Sequence, residues 1–128
     1  MSTEPDGAFT WPLAEVDPQR MKVMALLLAD PNPIHFDATA ANRLGIADVP
    51  INQGPSTMAL IYNAFAQSHP RHRIRRLRVR LLGNVLAGQS VRVEAQPTAE
   101  PGRYAVEVFV NNTVAVMRGD VELAEALT

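Results

Sequence analysis

Gly54-Pro55-Ser56-Thr57-Met58-Ala59-Leu60-Ile61-Tyr62-Asn63-Ala64-Phe65-Ala66-Gln67 is the stretch whose reading decides the fold. Glycine and proline open it as a helix start, since proline at the first helical position loses an N–H that has no partner there anyway. Met58, Ile61 and Phe65 recur at helical spacing and predict one buried stripe. Ala59, Leu60, Ala64 and Ala66 leave little polar surface elsewhere. A helix apolar on most sides has to be wrapped rather than laid on a surface.

The wrapping follows in the chain. From Arg73 onward the period changes to two: Leu77, Val79 and Leu81 alternate with Arg76, Arg78 and Arg80, and Val91, Val93 and Ala95 with Arg92, Glu94 and Gln96. Tyr104, Val106, Val108 and Val110 predict a third strand; Val114, Val116, Val121 and Leu123 predict a fourth. Gly83-Asn84 with Gly88, Pro101-Gly102 and Asn111-Asn112 supply turn chemistry between them. Breaks in parity near Arg75-Arg76 and at Gly119 predict bulges that bend the sheet. The class is α+β: a curved antiparallel meander wrapped around a long central helix, a hotdog-like architecture.

Upstream, residues 8–13 predict a short first strand. Asp17-Pro18 caps a helix running to about Ala29, with Met21, Met24, Ala25 and Leu28 at helical spacing. Pro31 and Pro33 stop it, because each lacks an N–H and disfavours helical backbone in the residue before. Asp37 caps a second, short helix through Leu44, which Gly45 ends. The 128 residues predict one domain over 1–128 with its core at about 9–123.

At 47% hydrophobic and 20% charged, the chain can bury a core without metal or disulfide help. Twelve basic against thirteen acidic residues give a net charge of -1, which excludes a globally basic nucleic-acid binder and a solvating acidic chain. Without cysteine there is no disulfide, no thiolate nucleophile and no Cys-based zinc site. The most apolar run, Val23 to Ala29, is too short to span a bilayer, and MSTEPDG lacks the layout of a signal peptide. A soluble, cytoplasmic domain with no membrane association is expected.

The densest chemical signal is Asp30-Pro31-Asn32-Pro33-Ile34-His35. On a continuous helix Asp30 and His35 would point to different faces; two prolines forbid the helix, so the segment must turn, and a turn can bring both side chains to one point. A carboxylate beside an imidazole can hold a water and pass protons in both directions. As bare residue types, the same pattern also fits a helix stop followed by a cap. Gly54 is the second signal: glycine lets a ligand approach the backbone, and a helix N-terminus offers free N–H groups to an oxyanion. A glycine that merely permits the loop-to-helix turn is the competing account. Ser56 is a poor nucleophile candidate, since the segment lacks the second glycine of a nucleophile elbow.

Ala29-Asp30-Pro31-Asn32-Pro33-Ile34-His35 resembles the G-D-x-N-P-[LIV]-H motif of MaoC-like (R)-specific enoyl-CoA hydratases and dehydratases, and Gly54 falls where that family has a V-H-G step opening its central helix. Phe9-Thr10 is similar to its opening strand, and Leu77 to Glu94 to a strand pair with a Gly-containing turn, so the resemblance covers about residues 9–123. It implies a hydro-lyase that adds water to a trans-2-enoyl thioester to give the (3R)-hydroxyacyl product, or the reverse, with no cofactor and no metal. Asp30 would act as base toward the water, His35 would orient it and shuttle the proton, Asn32 would brace the turn, and the Gly54 N–H would polarise the thioester oxygen. Asn32, Gln53, Arg73 and Arg75 are the substrate-binding candidates. The implied partners are an acyl-CoA or acyl-carrier-protein thioester and a second hotdog subunit, as homodimer or heterodimer, because a lone hotdog leaves a sheet edge open.

The chain departs from the motif at Ala29 and Leu28, where the family has glycine and serine, and at Asn52-Gln53-Gly54, where an amide replaces the imidazole. Leu81 and Asn84 stand where the family often has Phe and Pro. Six of the twelve basic residues lie between Arg71 and Arg80. A nucleic-acid reading fails for want of interleaved aromatics; a solvated strand face and CoA phosphates at Arg71, Arg73 or Arg75 remain. His69 and His72 form an H-x-x-H pair with no nearby carboxylate to complete a metal site. A hotdog thioesterase would place Asp or Glu on the central helix, and Pro55 to His69 has neither. A non-catalytic subunit would have lost Asp30 or His35. A catalytic subunit of a heteromeric pair stays open.

Overall fold

The computed structural model describes residues 7–13, 15–30, 32–111 and 114–125. Five strands form one antiparallel sheet: β1 (Phe9–Leu13), β2 (Ile74–Leu81), β3 (Val91–Pro97), β4 (Arg103–Val110) and β5 (Val114–Leu123). Helices α1 (Pro18–Leu27), α2 (Ala38–Arg43) and α3 (Gly54–Ser68) precede β2 in the chain.

The helix starts follow the expected chemistry. Asp17 caps α1 by accepting from the Gln19 N–H at 2.9 Å, and Asp37 caps α2 by accepting from the Thr39 N–H at 2.9 Å. α1 ends in a paired closure, with Asp30 N–H donating to the Ala25 carbonyl at 2.9 Å and Ala29 N–H to that of Leu26 at 3.2 Å. That closure puts Ala29 in the left-handed region, φ 51°. Pro31, expected to help stop α1, lies outside the described residues.

α3 buries Thr57, Ile61, Ala64 and Phe65, with Met58 half-buried. Tyr62, Asn63, Ala66 and Gln67 face outward, so the sheet covers one side of the helix and leaves the other open. Against the buried side lie the inward residues of the strands: Val91, Val93 and Ala95 of β3, Tyr104, Val106, Val108 and Val110 of β4, and Val116, Met117 and Val121 of β5. Phe9, Trp11 and Leu13 of β1 pack at the margin. This is the hotdog arrangement expected.

Two expectations about the sheet need correction. The strand order is β1-β3-β4-β5-β2, so only β3, β4 and β5 form a meander. β2 pairs with β5, and β3 lies between β1 and β4; Leu77 to Glu94 is therefore not a paired unit. Alternation assigns the faces of a strand but says nothing about its neighbour. Residues 82–90 are a crossing rather than a hairpin: Leu82 and Gly83 N–H groups donate to the Val116 carbonyl, and Ala87 N–H to that of Pro50. The register does shift between Ile74 and Arg76, as expected, but the second shift lies opposite Val108/Phe109, where Val116 is the extra residue, and not at Gly119. Gly119 sits in regular register between Val79 and Val106. A Cβ there would stand 1.8 Å from the Arg78 carbonyl oxygen, so the glycine serves close strand approach. Of the expected Asn111-Asn112 turn, Asn111 takes φ 51° and Asn112 lies outside the described residues. Among the described residues no helix is long and apolar enough to cross a membrane.

Candidate active site

The Asp30–His35 segment folds through a chain of side-chain-to-backbone bonds. Asp30 Oδ1 accepts from the Asn32 N–H at 3.1 Å, and Asn32 Oδ1 accepts from the Ile34 N–H at 3.2 Å, capping a 3₁₀ turn over Pro33–His35. Asp37 N–H then closes back on the Pro33 carbonyl at 2.7 Å. This turn carries His35 to Asp30, with Nε2 at 3.2 Å from Oδ2.

The histidine is anchored from its other side. His35 Nδ1 lies 2.7 Å from the Ile51 carbonyl oxygen. A carbonyl only accepts, so Nδ1 carries the proton and donates it. Nε2 is then the ring atom that faces Asp30, and that contact is a hydrogen bond when a proton sits between nitrogen and carboxylate. Ile51 N–H in turn donates to the Ile34 carbonyl at 2.7 Å, so two bonds clasp the turn to the segment entering α3. Asn52 N–H donates to the Val85 carbonyl at 2.7 Å, fixing that segment to the crossing. The His35 side chain is 12% exposed and that of Asp30 34%, so the imidazole is held in the protein while the carboxylate meets solvent.

Gly54 opens α3 three residues beyond Ile51. The Gln53 side chain does not cap the helix, and Pro55 has no N–H to offer. A Cβ built on Gly54 would meet only the Leu81 side chain, at 3.7 Å, which is ordinary contact. Packing inside this chain therefore does not demand glycine here. Asp30 borders an apolar groove of about 560 Å³, shared with Lys22, Ala25, Leu26, Ala29 and Phe36. A second cavity of about 430 Å³ lies between β1, α1 and α3, where Trp11, Met21, Met24, Asn52, Ser56 and Leu60 meet.

A family model described as the MaoC-like domain matches residues 3–118. The chain belongs to the MaoC-like dehydratase family. Among solved structures similar to it are the R-hydratase PhaJ1 from Pseudomonas aeruginosa in the unliganded form, at TM-score 0.83 and 23% identity over 98% of this chain and 84% of that one. The (R)-hydratase from A. caviae involved in PHA biosynthesis aligns at TM-score 0.81 and 18% identity, covering 99% and 98%. The ChsH1-ChsH2 complex from Mycobacterium tuberculosis aligns at 0.76 and 21%, covering 99% and 100%. No curated protein matches the sequence.

Within this MaoC-like chain the expected residues divide. Asp30, Asn32 and His35 meet in one turn, beside the segment leading to Gly54. Gln53 is buried; its amide N–H donates to the Met21 carbonyl at 2.9 Å and its oxygen accepts from Ser56 Oγ at 3.4 Å. These bonds tie α1 to α3. Arg73 and Arg75 stand by the far end of α3, which at 15 residues spans roughly 22 Å. Arg75 Nε lies 3.8 Å from Glu122 Oε1. His69 is buried between Ser68 Oγ at 2.8 Å and Tyr104 OH at 3.0 Å, while His72 Nδ1 donates to the Ala124 carbonyl at 3.0 Å. The two rings of that H-x-x-H pair also meet edge to face, with centroids 5.9 Å apart.

Three features escaped the sequence reading. The Ile51 carbonyl that orients His35 is a backbone atom and carries no sequence signal. Asn52, whose side-chain amide donates to Thr57 Oγ1 at 3.0 Å, steadies the first turn of α3. Ala29's left-handed backbone was signalled only by the family's glycine at that position.

Proposed function

We propose that this chain is an (R)-specific hydro-lyase that adds water to trans-2-enoyl-CoA, or removes it from the (3R)-hydroxyacyl thioester, using a water held by Asp30 and His35. The observation that carries this reading is the 3.2 Å approach of His35 Nε2 to Asp30 Oδ2, with Nδ1 locked onto the Ile51 carbonyl. That lock leaves Nε2 as the one ring nitrogen able to exchange a proton with substrate.

In the hydration direction, the carboxylate of Asp30 takes a proton as the water oxygen bonds to C3 of the enoyl group. The electron pair of the C2–C3 double bond moves toward the thioester oxygen, where the Gly54 N–H at the start of α3 donates to the developing charge. A proton returned through His35 Nε2 then goes to C2, so water supplies OH to C3 and H to C2. Asn32 holds the turn in which the two side chains meet. Delivery of both groups from one side makes the addition syn.

The test is the loss of conjugated enoyl-thioester absorbance over a series of trans-2-enoyl-CoAs. Turnover giving a (3R)-hydroxyacyl-CoA, lowered roughly 10²–10⁴-fold by Asp30→Asn and by His35→Ala, is the expected outcome. Full activity in both variants would sink the assignment. A second reading keeps the chemistry and changes the assembly: the chain as one subunit of a heteromeric acyl-thioester dehydratase acting on CoA or carrier-protein substrates. Its similarity to the ChsH1-ChsH2 complex favours it.

A further inference from the structure

The groove of about 560 Å³ beside Asp30 carries charge only at its two ends. Lys22, Ala25, Leu26 and Ala29 follow one another at three- and four-residue steps, so they share one face of α1 and its closing turn. Phe36, directly after the Pro33–His35 turn, adds an aromatic wall. Asp30 stands at one end of this apolar stretch and Lys22 at the other, roughly 10 Å apart along the helix. Lys22 forms no ion pair among the described residues, and Arg20, the other cation on α1, borders the second cavity. Leu26 is 83% exposed and Phe36 40%, so the described residues leave the groove open to solvent.

No residue of α3 lines the groove. A substrate with its thioester oxygen at the Gly54 N–H and its C3 beside Asp30 therefore runs the rest of its acyl group away from α3 and along α1. Apolar walls suit the methylenes of that tail, and an unpaired ammonium at the far end suits a negative charge. We propose that the groove holds the tail of an acyl thioester whose far end is a carboxylate, with Lys22 as the residue that selects it. Sign and distance decide which of these substrates fit. A long tail brings its carboxylate to Lys22; a tail that ends just beyond C3 leaves it beside the Asp30 carboxylate, where like charges repel. A protein segment laid in the groove would instead bury Asp30, whose side chain is 34% exposed, and close it to water. The substrate class rests on the hydro-lyase reading; the binding preference is measured without turnover.

Trans-2-dodecenoyl-CoA and its ω-carboxy counterpart are compared on the wild-type chain, Lys22→Met and Lys22→Glu, each checked for folding by circular dichroism. The wild type is expected to show kcat/KM about threefold higher for the carboxylate-ended substrate, within what an exposed ion pair allows, and less as salt is raised. Lys22→Met, which keeps an apolar stem, is expected to remove the preference, and Lys22→Glu to reverse it. Trans-glutaconyl-CoA, whose carboxylate would meet Asp30, is expected to react more slowly than trans-2-pentenoyl-CoA. The saturated pair, dodecanoyl-CoA and its ω-carboxy counterpart, titrated calorimetrically, is expected to show the same preference in Kd. That preference without turnover of any substrate upholds this site and sinks the hydro-lyase reading; turnover without the preference does the reverse. Equal losses on both dodecenoyl substrates in Lys22→Met overturn the proposal, because the lysine would then meet the CoA phosphates that both share. So does self-association of the wild type that Leu26→Ser abolishes with the preference unchanged, which would make the groove a protein contact.

Discussion

Ala29 holds a backbone conformation, φ 51°, that its Cβ disfavours by about 1 kcal/mol, directly before a residue of the Asp30–His35 pair. Ala29→Gly is expected to raise stability by about 1 kcal/mol, read as a higher denaturant midpoint with unchanged slope. The hydrogen bonds of the turn do not involve the lost methyl, so turnover should stay within about twofold. Gly54 is the opposite case. Since a Cβ there meets only Leu81 at 3.7 Å, Gly54→Ala should shift stability by less than about 1 kcal/mol. If the thioester oxygen comes to this N–H, the added methyl stands in its path, and kcat/KM should fall roughly 10²-fold, comparable to losing one oxyanion donor. Equal activity would show that the carbonyl binds elsewhere. Gln53→Leu strips the Met21 carbonyl of its buried donor and should lower stability by about 1–3 kcal/mol. A variant that instead kept its stability and lost substrate affinity would return Gln53 to the ligand.

Among the elements, those governed by local chemistry were readable from the sequence. Asp17-Pro18, Asp37 with Gly45, and Gly54-Pro55 mark helix boundaries because caps and prolines act over one or two residues. The pairing of β2 with β5 was not readable, because it joins segments that are distant in sequence and its determinant is spatial. Gly119 illustrates this: along the chain it is an interruption of a strand, and only beside Arg78 does it become a point of close approach. The candidate site divides the same way. Asp30 and His35 were visible as types at a telling spacing, whereas the atom that sets the imidazole's tautomer is the Ile51 carbonyl. Arg73 and Arg75 follow the far end of α3 in the chain, so they stand apart from the Asp30–His35 turn and would meet a different part of any ligand. Gly119→Ala forces a Cβ to within 1.8 Å of the Arg78 oxygen unless β2 moves. The expected result is destabilisation of about 1–3 kcal/mol or more, with amide exchange quickening first in β2 and β5.

For the molecule as a whole, the sheet is stitched by two kinds of contact. β3, β4 and β5 follow one another through short turns, whereas β1 reaches β3 and β2 reaches β5 across long stretches of chain. Loop closure delays such distant pairings. In quenched hydrogen-exchange refolding, the amides shared by β3, β4 and β5 are therefore expected to gain protection before those of β1 and β2. Simultaneous protection across all five strands would contradict this order. The same stitching matters as the chain leaves the ribosome. α3, with its apolar side, emerges before any residue of β3, β4 or β5 exists, and β2 emerges before β5. Through that interval the side of the helix that the sheet will cover, with Ile61, Ala64 and Phe65, has no strand to pack against. The nascent chain thus depends on its last strands, and on whatever shields it until they arrive, to be spared from aggregation.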